Sequence, residues 1–246
     1  MEIINGISEE GISRRQLLTG AGKAAAGLAI VSAGALSLAS GASAKEAPYP
    51  FGYKKLDPKK VADLAYENWY KNFCCYATSS AILLPLREKV GGPYNTLPVE
   101  AFIFGHGGTV GWGTLCGTLM GAGLAASFAA GKEGENILND MMHYYAETEL
   151  PIYKPANPKA TFKSVNKSDS PLCHVSVGRW MKKEGVNFLS PQRKDRCARL
   201  SADVAAKTVE LLNLWADGRY KSGHGNQIGI YGFTTQNNCS DCHTDK

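Results

Sequence analysis

Residues 58–90 read PKKVADLAYENWYKNFCCYATSSAILLPLREKV. Within them Val61, Leu64, Ala65, Trp69, Phe73, Ala77, Ala81 and Leu84 recur three and four positions apart, which lays them along one face of an α-helix. Gly91-Gly92-Pro93 ends the stretch, since glycine terminates helices readily and proline cannot continue one. The same spacing predicts further helices on the C-terminal side. Leu115 to Ala130 is built of small residues that let other backbones approach closely, and Asn136 to Thr148 is closed by Pro151. Cys173 to Lys183 follows, and then Cys197 to Tyr220, periodic through Val204, Val209, Leu211, Leu212 and Trp215. Between them lie a Gly-rich segment from Gly105 to Gly123 and a polar loop over 154–170. Pro48, Pro50 and Gly52 mark an extended leader, and from Ser222 onward Gly, Asn, Thr and Ser dominate with little periodicity. Strand alternation is nearly absent and no internal repeat is evident. The expected fold is mainly α, a small helical bundle with an irregular C-terminal tail.

The chain has 246 residues, of which 44% are apolar and 20% charged, an ordinary globular composition. It excludes collagen-like, disordered and multi-span membrane classes. A formal net charge of +5, with no Lys/Arg block on any one face, argues against nucleic acid and allows an acidic partner protein. Seven cysteines and five histidines are the unusual entries in the composition.

Ser13-Arg14-Arg15-Gln16-Leu17-Leu18 has the shape of a twin-arginine export signal. A weakly apolar stretch runs from Ala24 to Leu38, and Ala42-Ser43-Ala44 forms a small-x-small cleavage site before Lys45. That stretch is too short and too rich in Ala, Gly and Ser to be read as a retained membrane anchor. The expected destination is a bacterial periplasm. The expected organisation is a signal peptide over 1–44, a helical core over 45–221 and a cofactor-binding tail over 222–246.

Cys239-Ser240-Asp241-Cys242-His243 is Cys-x-x-Cys-His, the attachment signature of c-type haem. Two thiols three positions apart reach the two vinyl groups on one porphyrin edge, and the histidine that follows turns its imidazole to the iron. A zinc or disulfide Cys-x-x-Cys competes with this reading, but zinc needs further ligands and His224 is the local one. Lying in the tail, the motif stays accessible to the attachment machinery after a folded core is exported. For the sixth iron ligand, Met120, Met141, Met142 and Met181 fall within apolar helix patterns and read as core. His224 is flanked by glycines in the same tail, His106 is flanked by glycines as well, and His174 follows Cys173. His143, between Met142 and Tyr144, reads as a packed and satisfied imidazole.

Cys74, Cys75, Cys116, Cys173 and Cys197 are dispersed. Each of Cys74, Cys116, Cys173 and Cys197 lies near a predicted helix terminus or a Gly-flanked turn, where a bundle can converge them. Thiolates from several helix ends can hold an iron–sulfur cluster; disulfides are the equal alternative.

Gly-Trp-Gly-Thr-Leu-Cys-Gly-Thr-Leu-Met-Gly at 111–121, Ser-Pro-Leu-Cys-His at 170–174, Arg-Cys-Ala-Arg-Leu at 196–200 and the terminal Cys-x-x-Cys-His together resemble the split-Soret cytochromes c of sulfate-reducing bacteria. The core from Pro58 to Trp215 also resembles the wider redox-associated family named for its C-GCAxxG-C-C cysteine pattern. That family's four cysteines fall on Cys74 or its neighbour Cys75, on Cys116, on Cys173 and on Cys197. The glycine usual before the first of them is Phe73 here. The resemblance implies a homodimer with a pair of stacked c-type haems per subunit, each ligated by two histidines, one ligand crossing from the partner. It also implies an iron–sulfur centre, taken as a 2Fe–2S cluster. The chain holds a single complete Cys-x-x-Cys-His; Cys173-His174, with Ser170 in the first cysteine's place, looks like half of another, and Cys75 is a leftover thiol that could anchor a haem.

No nucleophile with a matched base and no carboxylate pair at catalytic spacing stands out, so the cofactors carry the chemistry. The expected function is periplasmic electron transfer by a multi-centre haem and iron–sulfur protein working with redox partner proteins, without nucleic acid or a stable membrane anchor. An oxidoreductase reducing a small molecule at a haem or cluster iron is the alternative. A structural zinc or disulfide domain is the third class.

Overall fold

Asp57 starts the first helix: its carboxylate accepts the backbone N–H groups of Lys59 and Lys60 at 2.9 and 3.3 Å, and Pro58 takes the first helical position, where a missing N–H costs nothing. A computed structural model describes residues 48–224. In it, helix α1 spans Pro58–Val90, α2 Gly117–Ala130, α3 Glu133–Glu147, α4 Cys173–Glu184 and α5 Pro191–Ala216. Short 3₁₀ helices at Gly92–Thr96 and Val99–Gly105 lead into the Gly-rich segment. No strand occurs among the described residues, only isolated antiparallel bridges at Leu115–Leu172 and Leu150–Asn166. The mainly helical expectation therefore holds. No helix among the described residues is long and apolar enough to cross a membrane. The export signal and Cys239, Cys242 and His243 lie outside the described residues.

Two features were not read from the sequence. Helix α5 starts at Pro191, six residues before the periodic stretch, because the Ser190 hydroxyl accepts the N–H of Arg193 at 3.2 Å and caps it. It stops at Ala216 rather than Tyr220, where Gly218 (φ 68°) reverses the chain and the N–H groups of Arg219 and Tyr220 both bond to the Leu214 carbonyl. The second feature is a break inside α1. Asn72 (φ −142°, ψ 30°) and Phe73 (φ 61°, ψ −164°) leave helical geometry, so Cys74 begins a new run of turns. Asn68 bridges the break by donating to the Ser80 hydroxyl at 2.9 Å, both groups being buried.

The half of α1 beyond the break is buried on every side from Cys74 to Leu83, as is most of α2. A helix apolar all round belongs at the centre of a domain. Helix α1 packs on α5 and α2, and α2 packs on α3. The α1–α2 contact depends on small residues: a Cβ on Gly121 would meet the Cys75 carbonyl at 2.6 Å and the Ser79 nitrogen at 2.9 Å. Both are backbone atoms, which cannot swing aside. Gly121→Ala is expected to destabilise the fold by about 1–3 kcal/mol, the usual range for overpacking, seen as a lower urea midpoint with an unchanged slope.

Candidate metal centre

Two chain segments bring the first pair of cysteines together. Residues 113–116 run antiparallel to 171–174: the N–H of Cys173 donates to the Thr114 carbonyl at 2.7 Å, that of His174 to Gly113 at 3.0 Å, and that of Cys116 to Pro171 at 3.0 Å. The close approach needs Gly113 (φ 77°), where a Cβ would lie 2.8 Å from that of His174. Cys116 is then the cap of α2 and Cys173 the first residue of α4. Cys74 follows the break in α1, and Cys197 lies within α5. Three of these four thiols thus sit at starts of helical runs, where unpaired N–H groups and the helix dipole favour the thiolate.

All four border one cavity of about 450 Å³, together with Trp69, His106, His174 and Arg196. None of the five cysteines among the described residues is in a disulfide. The thiol of Cys173 bonds to Cys116, which draws the Cys116 thiol below its ordinary range against the effect of burial; Thr118, 3.3 Å from its sulfur, adds to this. The same bond and burial push Cys173 up. Burial, then the nearby Cys116 sulfur, raises Cys74.

Cys75 stands apart. It is fully buried between α1 and α2, next to Gly105 and Met120, and does not border the cavity. Burial, then the nearby Cys116 sulfur, pushes its thiol up to about 12. Helical geometry explains the division, since adjacent positions on one helix face about 100° apart.

Donors without acceptors surround the sulfurs. Arg196 is 1% exposed, reaches Cys197 Sγ at 3.9 Å and donates to the Ser176 hydroxyl at 2.7 Å, yet its Nε has no partner. The Tyr145 hydroxyl, beside Cys116, and Trp69 Nε1 are buried without a well-formed hydrogen bond. Orphaned buried donors are rare, and a ring of them suits an acceptor-rich anionic group. The residues present fit a thiolate-ligated iron–sulfur group, with Cys74, Cys116, Cys173 and Cys197 as the available ligands.

The described histidines divide between two places. His106 and His174 border the cysteine cavity, and the His106 ring lies 5.5 Å from that of Phe73. His224 instead lies against α3. Its ring stacks on His143 with centroids 3.7 Å apart and planes 6° off parallel. Asp140 holds it there, accepting from the His224 ring Nδ1 at 3.0 Å and from the Tyr220 hydroxyl at 2.7 Å. His143 Nδ1 lies 2.9 Å from Glu147 Oε1, so it is satisfied as the sequence reading expected, although it also faces a second imidazole. Carboxylates on both Nδ1 atoms leave both Nε2 atoms as potential ligands, the arrangement typical of metal-binding histidines. Sequence reading missed Arg196, Tyr145 and the His143–His224 pair. The adjacency of Arg196 to Cys197 was a visible signal; the others come from remote elements.

Four cysteines from separate helices around one cavity define a redox-type thiol site on an all-helical scaffold. Residues 73–211 match the model of a family described as putative redox-active protein, C_GCAxxG_C_C. The chain is 35% identical over 252 residues to split-Soret cytochrome c of Desulfovibrio desulfuricans, covering 96% of this chain and 88% of the relative. A solved structure of split-Soret cytochrome c from the same species, described as having a novel iron centre, is similar with a TM-score of 0.67 and 35% identity, covering 80% of this chain and 83% of the other. The chain belongs to the split-Soret cytochrome c family, within the wider C-GCAxxG-C-C group.

Proposed function

We propose that this chain is a periplasmic electron-transfer protein with covalent haem on Cys239 and Cys242, His243 on the haem iron, and a 2Fe–2S centre on Cys74, Cys116, Cys173 and Cys197. The observation that carries the reading is the convergence of those four cysteines, three of them at starts of helical runs, beside buried donors that lack acceptors. Bound there, the centre would supply one-electron redox chemistry. The chain's own residues ligate it, wall it with the Trp69 and Phe73 rings, and bring the donors of Arg196 and Tyr145 beside its sulfurs. Kinship with a cytochrome c supports the haem, and the Cys-x-x-Cys-His of the tail supplies its attachment.

The proposed assembly is a homodimer with two haems per subunit and ligands shared across the interface. Ile103 and Phe104 at the end of the second 3₁₀ helix and Val110 and Trp112 on the Gly-rich segment support it, being exposed apolar side chains, with Trp112 at 81%. His224 is proposed as an axial ligand because Asp140 orients its ring and leaves Nε2 available. The alternative, reduction of a small molecule, draws on the cavity of about 450 Å³ beside the sulfurs, which His106 and His174 also line. Carbon monoxide or cyanide separates the two readings, since only an open iron position shifts its absorption bands on adding them.

Changing Cys239 and Cys242 together to Ala is expected to remove one covalent haem from the measured mass; unchanged haem content per subunit refutes the assignment. Protein purified without oxygen is expected to contain acid-labile sulfide and non-haem iron. Cys74→Ser should lose both while Cys75→Ser keeps them, and the opposite pattern would transfer the ligand to Cys75. His224→Ala is expected to turn a low-spin haem spectrum partly high-spin, whereas a fully low-spin variant would mark His224 as an ordinary loop residue.

A further inference from the structure

Arg196 is an anomaly in this core. Its side chain is among the largest fully buried ones, and no carboxylate lies in salt-bridge range of it among the described residues. One residue earlier, Asp195 is equally buried but fully served: Tyr66 and Tyr70 donate to it, and so does Arg199 Nε at 2.8 Å. Arg196 has the Ser176 hydroxyl at 2.7 Å, the Ser176 carbonyl at 3.5 Å, the Cys197 sulfur at 3.9 Å and the Trp180 ring at 6.0 Å, with Nε unpartnered. Asp203 feels it at longer range, but burial pushes that carboxyl up to about 7, which weakens it as a counter-charge. A buried cation without a counter-ion costs several kcal/mol. The Cys197 sulfur lies within its reach at 3.9 Å, on the wall of the cavity that Arg196 shares with Cys74, Cys116 and Cys173.

We infer that Arg196 is the built-in counter-charge of the cysteine site and, with the Tyr145 hydroxyl beside Cys116, sets the reduction potential of the iron centre held there. The inference rests on the iron–sulfur reading above. Thiolate ligands make such a centre anionic, and reduction adds one electron, with no proton, to a group already negative. A fixed cation at the sulfurs lowers the energy of the reduced form more than that of the oxidised form, because the Coulomb energy grows with the charge. Arg196 therefore raises the potential. Tyr145 acts in the same direction by donating to sulfur, a known lever on cluster potentials. Both are positioning residues, ligating nothing themselves. The same electrostatics couples the centre to folding: without the anion Arg196 is a burden on the core, and with it the charge is compensated.

The test uses anaerobically purified full-length holoprotein, titrated with dithionite while the reduced centre is followed by electron paramagnetic resonance. Arg196→Gln is expected to move the midpoint negative, Arg196→Lys to restore most of the shift, and Tyr145→Phe to give a smaller negative shift. Haem potentials serve as the internal reference. Urea unfolding supplies a second readout: removing iron should destabilise the wild type more than Arg196→Gln, whose iron-free form should be at least as stable as the iron-free wild type. If Arg196→Gln does not fold, Tyr145→Phe and Arg196→Lys carry the test. A centre with normal iron and sulfide whose midpoint is the same in all variants overturns the inference alone. Wild-type protein lacking non-haem iron and sulfide overturns the iron–sulfur reading and the inference with it.

Discussion

At Phe73 the backbone takes φ 61° and ψ −164°, a region natural to glycine and costly, by about 1–3 kcal/mol, for a side chain with a Cβ. Much of the molecule depends on that turn. It splits one long helix into two runs, so that Cys74 opens the second run instead of continuing the first. Were the helix continuous, the backbone N–H groups near Cys74 would be spent on carbonyls one turn back. The break is held from both sides: Asn68 reaches across it to Ser80, and the Phe73 ring packs edge-on against Trp69, with ring centroids 5.5 Å apart.

Helix α5 places two opposite charges side by side in the core and treats them differently. Asp195 faces the tyrosines of α1 and the backbone of Lys159, and its bonds stitch α1, α5 and the 154–170 loop together. Arg196 turns toward the sulfurs and Trp180. A helix rotates about 100° per residue, so neighbours in sequence serve different surroundings. The first charge is structural and self-sufficient. The second has no carboxylate in salt-bridge range among the described residues and lies beside the Cys197 sulfur, and under the proposed reading it is the counter-charge of an anionic centre.

The same chain builds a second polar focus on α3. Asp140 gathers Tyr220, the backbone of Gly223 and His224, and the His224 ring, so the chain leaving α5 is fixed beside His143 before it enters the tail. The cysteine cavity, bordered also by His106 and His174, and this imidazole pair with Glu147 lie in separate parts of the fold. Soft thiolates suit iron–sulfur chemistry, while imidazoles suit haem iron or other transition metals.

The helices were legible in the sequence because apolar residues three and four apart report a buried face whatever lies against it. The Cys-x-x-Cys-His of the tail was legible for a similar reason, since its chemistry is contained within five consecutive residues. The four dispersed cysteines could be named from the resemblance, but the choice between Cys74 and Cys75 rested on which way each points, and that depends on a break in α1 invisible to periodicity. Asn72 and Phe73 keep the apolar rhythm of the helix while the backbone departs from it. The charge of Arg196 was equally plain in the sequence, and its meaning was not. An arginine before a cysteine is unremarkable until packing shows which side chains surround it, because the cost of a buried charge belongs to its surroundings and is written nowhere in the local sequence. The sequence determined the helical scaffold and the tail motif, whereas tertiary structure alone decided which thiols meet, which stands apart, and that His143 faces His224, since each depends on contacts between residues far apart in the chain.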